Sequence, residues 1–384
     1  MKTPRKILVA VAMTLATASF ACMWDRDTLA AEAKGHMDFV GAVTGRFDRN
    51  PPLYYEMRLQ RVAAEIKAHP DRLGLYDDAG VAAERLEKYD EAIQWMARKK
   101  AAMKPLDMND QASKDAWYRY YSNLGTFISY DLFAPIKTKE HIARLNQAID
   151  LLKKGLKINP NAHFGREIYQ VDLIDWVRDV KTGIATDQFW PTGAGDGASK
   201  ADKEKAITGL CGLVQLGRAW KSVDVFRGIR NLCSEAGNAY LADLADLRAK
   251  ELEMSGEKSI FKREEGDGDF EKFPMWMPEP DQRAFDEKEF RRLRTEADQI
   301  ADKRAAFMVA RMKQGKHPDT DPDFWNGYQT PDPQVIDDIG YLQTQHGKLE
   351  MLALGALGIC CVAPVTLVVV WLAVRMRKRR AAAM

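Results

Sequence analysis

Residues 351–374 form an apolar run with no Asp, Glu, Lys, Arg or His, followed at once by Arg375, Arg377, Lys378, Arg379 and Arg380. As a helix at about 1.5 Å per residue this run would reach roughly 36 Å, enough to cross a hydrocarbon core of about 30 Å. Pro364 is its only helix breaker, and membrane helices tolerate one. The run predicts a transmembrane helix over 349–374 with a basic cytoplasmic tail over 375–384, as the positive-inside rule demands. Everything before it is then expected outside the cytoplasm. At the other end Lys2, Arg5 and Lys6 precede an apolar stretch over 7–21, the three-part layout of a secretory signal peptide cut near Ala18 or Ala21. An uncleaved anchor would leave the middle of the chain on the same side. Cys22 stands where a bacterial lipoprotein cysteine would stand. Ala21 fits such a site, whereas Ser19 and Phe20 depart from it, so lipid attachment at Cys22 and plain cleavage both remain open.

Charge supports an exported, protein-facing body. The chain carries 57 Lys and Arg against 55 Asp and Glu, but the clusters at its two ends account for the positive excess and leave the body net acidic. That argues against nucleic acid as a partner, which requires clustered positive charge. Of the five cysteines, Cys360 and Cys361 lie in the apolar run, and Cys211 and Cys233 are the only pair in the body proper. Read onto neighbouring helices, these two come out about 6 Å out of step along the axis, at the limit of disulfide geometry. A bond or two buried thiols are both compatible with that offset.

Helical periodicity dominates the middle. Leu75, Ala79, Ala82, Ala83 and Leu86, then Tyr89, Ala92, Ile93 and Met96, each follow the i, i+3, i+4, i+7 rule, with a tight join from Leu86 to Tyr89. This predicts a helical hairpin in which Gly80 and Ala92 permit close crossing. A second hairpin opens in YSNLGTFI, with Leu124 and Gly125. Its partner, NQAIDLLKKGLKINPNA, carries Ala148, Ile149, Leu152, Gly155 and Pro160. The longer interval between Gly125 and Ala148 predicts an insertion near 132–139 with Pro135 at its tip. Strand-like alternation of useful length is missing, so the fold class expected is all-α.

These two hairpins resemble the tetratricopeptide repeat. Leu75, Ala79, Gly80, Tyr89, Ala92 and Met96 match its pattern in the first, as do the Leu124–Gly125 dipeptide and the residues named above in the second. Leu75 and Ala79 depart from the usual Trp and Leu. The resemblance implies a helical-hairpin solenoid, and two such units need neighbours to bury their faces. The flanks supply helical patterns over 51–68, 168–180, 203–216, 222–236 and 239–254. The expected organisation is a signal peptide over 1–21, N-terminal helices and two repeats over 22–170, and divergent helical repeats over 171–255. A linker over 256–280, a long charged helix over 281–314 and a Pro- and Asp-rich tether over 315–348 would follow. Arg304 and Arg311 break any coiled-coil seam in the long helix, so it is expected to pack on the solenoid.

A search for chemistry returns no catalytic constellation, no cofactor motif and no paired metal ligands. GAGDG over 193–197 lacks the pitch of a nucleotide loop. Asp319, Asp321 and Asp323 alternate as at the start of a calcium loop, yet Phe324 stands where Gly is needed. His163 and Glu167 share a helical face, which suits a local salt bridge. A repeat array instead offers a concave groove. By the resemblance, its lining would be Leu73, Tyr76, Val81, Glu84 and Arg85 from the first unit. The second would give Arg119, Ser122, Asn123, Thr126 and Ser129. Asn123 matches a position that often hydrogen-bonds a peptide backbone, and Asp78 replaces it in the first unit. The expected function is a non-enzymatic scaffold for a protein or peptide, tethered to a bacterial membrane with its body periplasmic. The alternative is an envelope enzyme or accessory subunit binding a glycan or lipid in 164–254 through Trp176, Trp190 and Trp220.

Overall fold

The computed structural model describes residues 23–329, apart from 34–38, 135, 161–165, 186–187, 196, 218 and 262–279. The chain divides into two units, residues 1–333 and 334–384, the second lying outside the described residues. So do the signal-peptide region, Cys22 and the apolar run over 349–374. Among the described residues no helix is long and apolar enough to cross a membrane.

The described residues form twelve α-helices and no strand. Two short helices, α1 (Arg26–Ala33) and α2 (Phe39–Thr44), precede α3 (Pro52–Ala68), α4 (Leu73–Arg85) and α5 (Tyr89–Ala102). Then come α6 (Gln111–Ile128), α7 (Lys139–Ile158) and α8 (Glu167–Thr182). The last four are α9 (Lys200–Leu216), α10 (Val223–Glu235), α11 (Ala239–Met254) and α12 (Pro280–Met312). From α3 to α11 each helix packs on the next, and α12 crosses back over α11, α2 and α3.

Local sequence explains the hairpins. The α4–α5 turn closes where Glu87 takes φ 61° and the Lys88 amide donates to the Ala83 carbonyl at 2.9 Å. Gly80 lets α4 approach its neighbours, for an added Cβ would sit 2.9 Å from both Met96 and Phe127. Gly125 does the same in α6, against Leu152 at 2.9 Å and the Ala148 carbonyl at 3.0 Å. Polar caps start the later helices: Asp110 accepts from the Ala112 and Ser113 amides, and Thr138, Ser199, Ser222 and Asn238 each accept from an amide of their own first turn. The principal core joins Leu59, Val62, Ile66, Ala79, Ala83, Trp95, Met96 and Phe127, and Met23 is buried with them. Cys211 and Cys233 are both buried free thiols, and burial, helped by Cys211, pushes the Cys233 thiol up.

The α6–α7 connection runs from 129 to 138, and Pro135 lies outside the described residues. Leu132 and Ala134 are buried, and Lys181 donates to the Ala134 and Ile136 carbonyls, which draws the segment onto α8. One expectation needs correction: the described part of the 315–348 tether is not a solvated linker. His317 and Phe324 are buried, and His317 stacks on Tyr54 at 4.7 Å. Phe307, Trp325 and Tyr328 pack edge and face around Phe324. Aromatic area and ion pairs to α3 outweigh what four prolines suggest about flexibility. The long helix packs on the body as expected, through buried Phe290, Leu293, Ala297, Met308 and Met312, with Arg304 donating to the Arg49 carbonyl and Asn50 Oδ1 at 3.0 Å each.

Candidate functional site

Residues 23–28 of the chain itself lie against α3, α4 and α6, through Arg58, Asp78 and Asn123. Asn123, on the buried face of α6, grips the backbone of this segment at both polar atoms of one residue. The Trp24 amide donates to Asn123 Oδ1 at 2.7 Å, and Asn123 Nδ2 donates to the Trp24 carbonyl at 3.0 Å. Two helices earlier, on α4, Asp78 accepts from the Arg26 amide at 3.1 Å and from Arg26 Nε at 2.8 Å. Asn123 and Asp78 stand two residues before Gly125 and Gly80, so equivalent turns of α6 and α4 grip alternate residues of the segment.

Three surroundings read the side chains. The Trp24 ring meets Tyr118 edge-on at 5.2 Å, and the Arg119 guanidinium lies 5.5 Å from its centroid. Tyr118 donates to the buried Glu167 carboxyl. Burial raises that carboxyl to about 7, although Arg166, Tyr118 and the Trp24 indole all favour its charge. Arg58, fully buried on α3, donates through Nη1 to Asp25 at 3.1 Å and through Nη1 and Nη2 to Asp27 at 2.9 Å each. The same guanidinium donates to Asp319 through Nε at 2.8 Å and Nη2 at 2.6 Å. It also lies 4.4 Å from the Tyr54 ring centroid, while the Tyr54 hydroxyl donates to Asp27 at 2.8 Å. Arg61 and Arg26 add ion pairs to Asp319.

The acids in this node titrate in opposite directions. Asp25 is pushed up to about 6 by burial and then by Asp27, against the pull of Arg58. Burial also acts on Asp319, but the Arg58 hydrogen bonds and charge win and hold it down at about 2. His317 is pushed down by burial, consistent with a neutral ring that accepts the Asp319 amide at Nδ1 (3.1 Å) and faces the Tyr54 carbonyl from Nε2 (3.0 Å). Asp319 is thereby committed to arginines, which removes it from any calcium loop with Asp321 and Asp323.

Behind the segment, Lys99 and Asp77 form a sealed pair, with Nζ donating to the two carboxylate oxygens at 2.6 and 2.7 Å. Asn123 Nδ2 donates to Asp77 as well, at 3.0 Å, so the pair orients the carboxamide that grips Trp24. Beside the segment a cleft of about 370 Å³ stays open, walled by Trp24, Arg26, Arg72, Leu73, Asp78 and Arg119.

The groove expected from sequence is therefore only partly a groove. Asn123 and Arg119 do face the bound segment, and Leu73 borders the cleft. Tyr76 instead lies in the core, its hydroxyl donating to the Pro70 carbonyl at 3.1 Å. Glu84, Val81, Ser122, Thr126 and Ser129 are buried in helix packing. Gln170 of α8 donates to Thr126 at 2.9 Å, and Ser129 Oγ donates back to the Thr126 carbonyl at 2.8 Å. Arg85 is spent on the end of α9, donating to the Leu216 and Gly217 carbonyls at 2.7 and 3.1 Å. Two causes act: α8 meets Thr126 and the end of α9 meets Arg85, while Tyr76 is covered within its own hairpin by Trp95 of α5. Sequence reasoning missed Trp24, Asp25, Asp27 and Arg58, and singled out Asp319 only for a calcium loop. The available signal was Arg58, a charge on the apolar face of α3 between Tyr54 and Val62.

Elsewhere Trp220 is enclosed rather than presented. Arg248 lies 3.4 Å from its centroid, Arg294 5.3 Å and Arg49 5.2 Å, with Phe47 edge-on at 5.5 Å. Trp176 is half-buried against Phe189 at 5.5 Å. His163 lies outside the described residues, while Glu167 points to Tyr118 rather than into a polar site. Among the described residues no group of His, Cys, Asp and Glu is placed to hold a metal ion. No protein-family model, curated protein or solved structure matches the chain.

Proposed function

We propose that this chain is a non-enzymatic scaffold of tetratricopeptide-like hairpins, tethered to a bacterial membrane by residues 349–374, whose body outside the cytoplasm holds a partner polypeptide. The observation that carries this reading is the double hydrogen bond of Asn123 to the Trp24 backbone, 2.7 and 3.0 Å. A carboxamide that pairs with both the amide and the carbonyl of one residue recognises polypeptide as such, whatever its side chains. The resemblance in the sequence and the helices that pack in succession support the same reading. The basic cluster after the apolar run supports the orientation.

The test uses the full chain in its membrane. A photo-crosslinking residue at Leu73, on the border of the cleft, is expected to give a discrete adduct with another polypeptide that disappears when Asn123→Ala is added. The same residue at Lys153 serves as the control. A reporter fused near Trp95 is expected to be active only outside the cytoplasm. Adducts that ignore Asn123→Ala, or a cytoplasmic Trp95 reporter, would remove the basis of the proposal.

A further inference from the structure

We infer that the face of α3, α4 and α6 covered by residues 23–28 is a peptide site occupied in cis, and that its partner in trans presents an aromatic residue followed by acid, base and acid. The inference rests on the scaffold reading and adds the chemistry of the ligand.

Residues 24–27 read Trp, Asp, Arg, Asp, and each meets a complementary wall. Tyr118 and Arg119 take the ring, Arg58 takes both carboxylates, and Asp78 takes the guanidinium between them, its nearest approach being 2.6 Å. Backbone contacts from Asn123 and Asp78 fix the position of the segment without reading it. Together these define an order of side chains, not just a charge.

The walls are built to outlast the occupant. Without residues 23–28, Asn123 still donates to Asp77, and Asp77 still holds Lys99. Arg58 still has two hydrogen bonds to Asp319, at 2.8 and 2.6 Å. A segment that served only to fill the core would leave buried charges stranded on departure. Here neighbouring groups already satisfy Arg58, Asn123 and Asp77, and Asp78, whose bonds go to Arg26, is the one buried charge left for an incoming base to meet.

The occupant itself is lightly held beyond its first residues. Of residues 23–28 only Met23 and Trp24 contribute buried apolar side chains, and Leu29, the next residue, is 37% exposed. Burial beside Asp27 also works against the charge on Asp25. A tethered occupant needs little intrinsic affinity, because its effective concentration is of millimolar order. A free ligand with the same contacts is opposed by that tether, and its apparent affinity falls in proportion to the fraction of open protein.

The experiment is a titration of the full chain with a fluorescent peptide reproducing residues 23–29 (Met-Trp-Asp-Arg-Asp-Thr-Leu), read by anisotropy. Three proteins are compared: wild type, Trp24→Ala, and the double variant Arg26→Ala with Asp27→Ala, which removes the ion pairs to Asp78 and Arg58, each checked for native helix content by circular dichroism. Emptying the cis segment in either way is expected to tighten peptide binding about tenfold or more over wild type. Adding Asn123→Ala is expected to abolish that gain, and a peptide with the Trp24→Ala change is expected not to bind. The inference is overturned if both variants fold and neither binds the peptide more tightly. It is equally overturned if they form a dimer by light scattering without taking up peptide, since the occupant would then be a second copy's segment. A Leu73 crosslink dependent on Asn123, found together with failed peptide binding, would keep the scaffold reading and discard only this ligand chemistry.

Discussion

Two buried charge clusters lie side by side in this protein and are built on different plans. Lys99 and Asp77 come from adjacent helices of one hairpin, pair one to one, and are both sealed from water. Burial pushes the lysine down and the acid up while their mutual attraction opposes both shifts. Arg58 instead gathers three carboxylates from two remote segments, Asp25 and Asp27 from before α2 and Asp319 from beyond α12. The first cluster belongs to a hairpin and can form as soon as that hairpin does. The second forms only when both remote segments have arrived. One is a fixed part of a wall; the other is a clasp.

The largest expected effect breaks the fixed pair. Lys99→Ala strands the buried Asp77 carboxylate and is expected to cost about 3–5 kcal/mol, whereas Lys99→Met with Asp77→Leu should recover most of it. Chemical denaturation followed by circular dichroism checks both, and a double variant as unstable as the single one would contradict the pairing. Arg58→Ala comes next, at about 3 kcal/mol, with a different signature. Deuterium uptake should rise at both 23–28 and 316–328 while α5 keeps its protection. Uptake confined to one of the two segments would mean that the clasp does not couple them.

A third expectation separates the acids within the clasp. Asp25, raised to about 6 from 3.8, favours the bound state while protonated, so its contribution is full below about pH 4 and is lost as pH rises through 6. Asp319, lowered to about 2, acts in the opposite sense, contributing above about pH 4 and failing as pH falls through 2. The groups facing Asp25 are Asp27, Arg58, Asp78 and the backbone of Thr28. Uptake over 23–28, compared at each pH with that of Asp25→Asn, should therefore diverge between pH 4 and 6, with wild type the looser at the upper end. Parallel curves would remove Asp25 as the source. The smallest effect is Arg85→Ala, which belongs to neither cluster. Two hydrogen bonds to the last carbonyls of α9 are lost, for about 1 kcal/mol. A change in deuterium uptake at 23–28 in that variant would show that the clasp extends further than its ion pairs.

The sequence disclosed the local half of this architecture. Period-3.6 patterns marked α4 to α7, and Gly80 and Gly125 marked the crossings where an added methyl has no room. Asn123 was legible as a backbone-binding residue because its place in the helical pattern is local information. The ring of groove residues was not, since whether Thr126 or Arg85 faces a ligand or a neighbour depends on where α8 and α9 pack. The Asp-rich stretch read as tether for the same reason: its apolar partners lie on another helix.

By itself, then, the sequence determined the helices, their joins and the small residues that set their approach, because each follows from contacts a few positions apart along the chain. Only the tertiary structure decided that a face of α3, α4 and α6 is occupied by residues 23–28 and that Asp319 meets Arg58 from 261 positions away. An ion pair at that separation leaves no periodicity to read. It exists because two segments converge on one buried guanidinium whose charge has to be met.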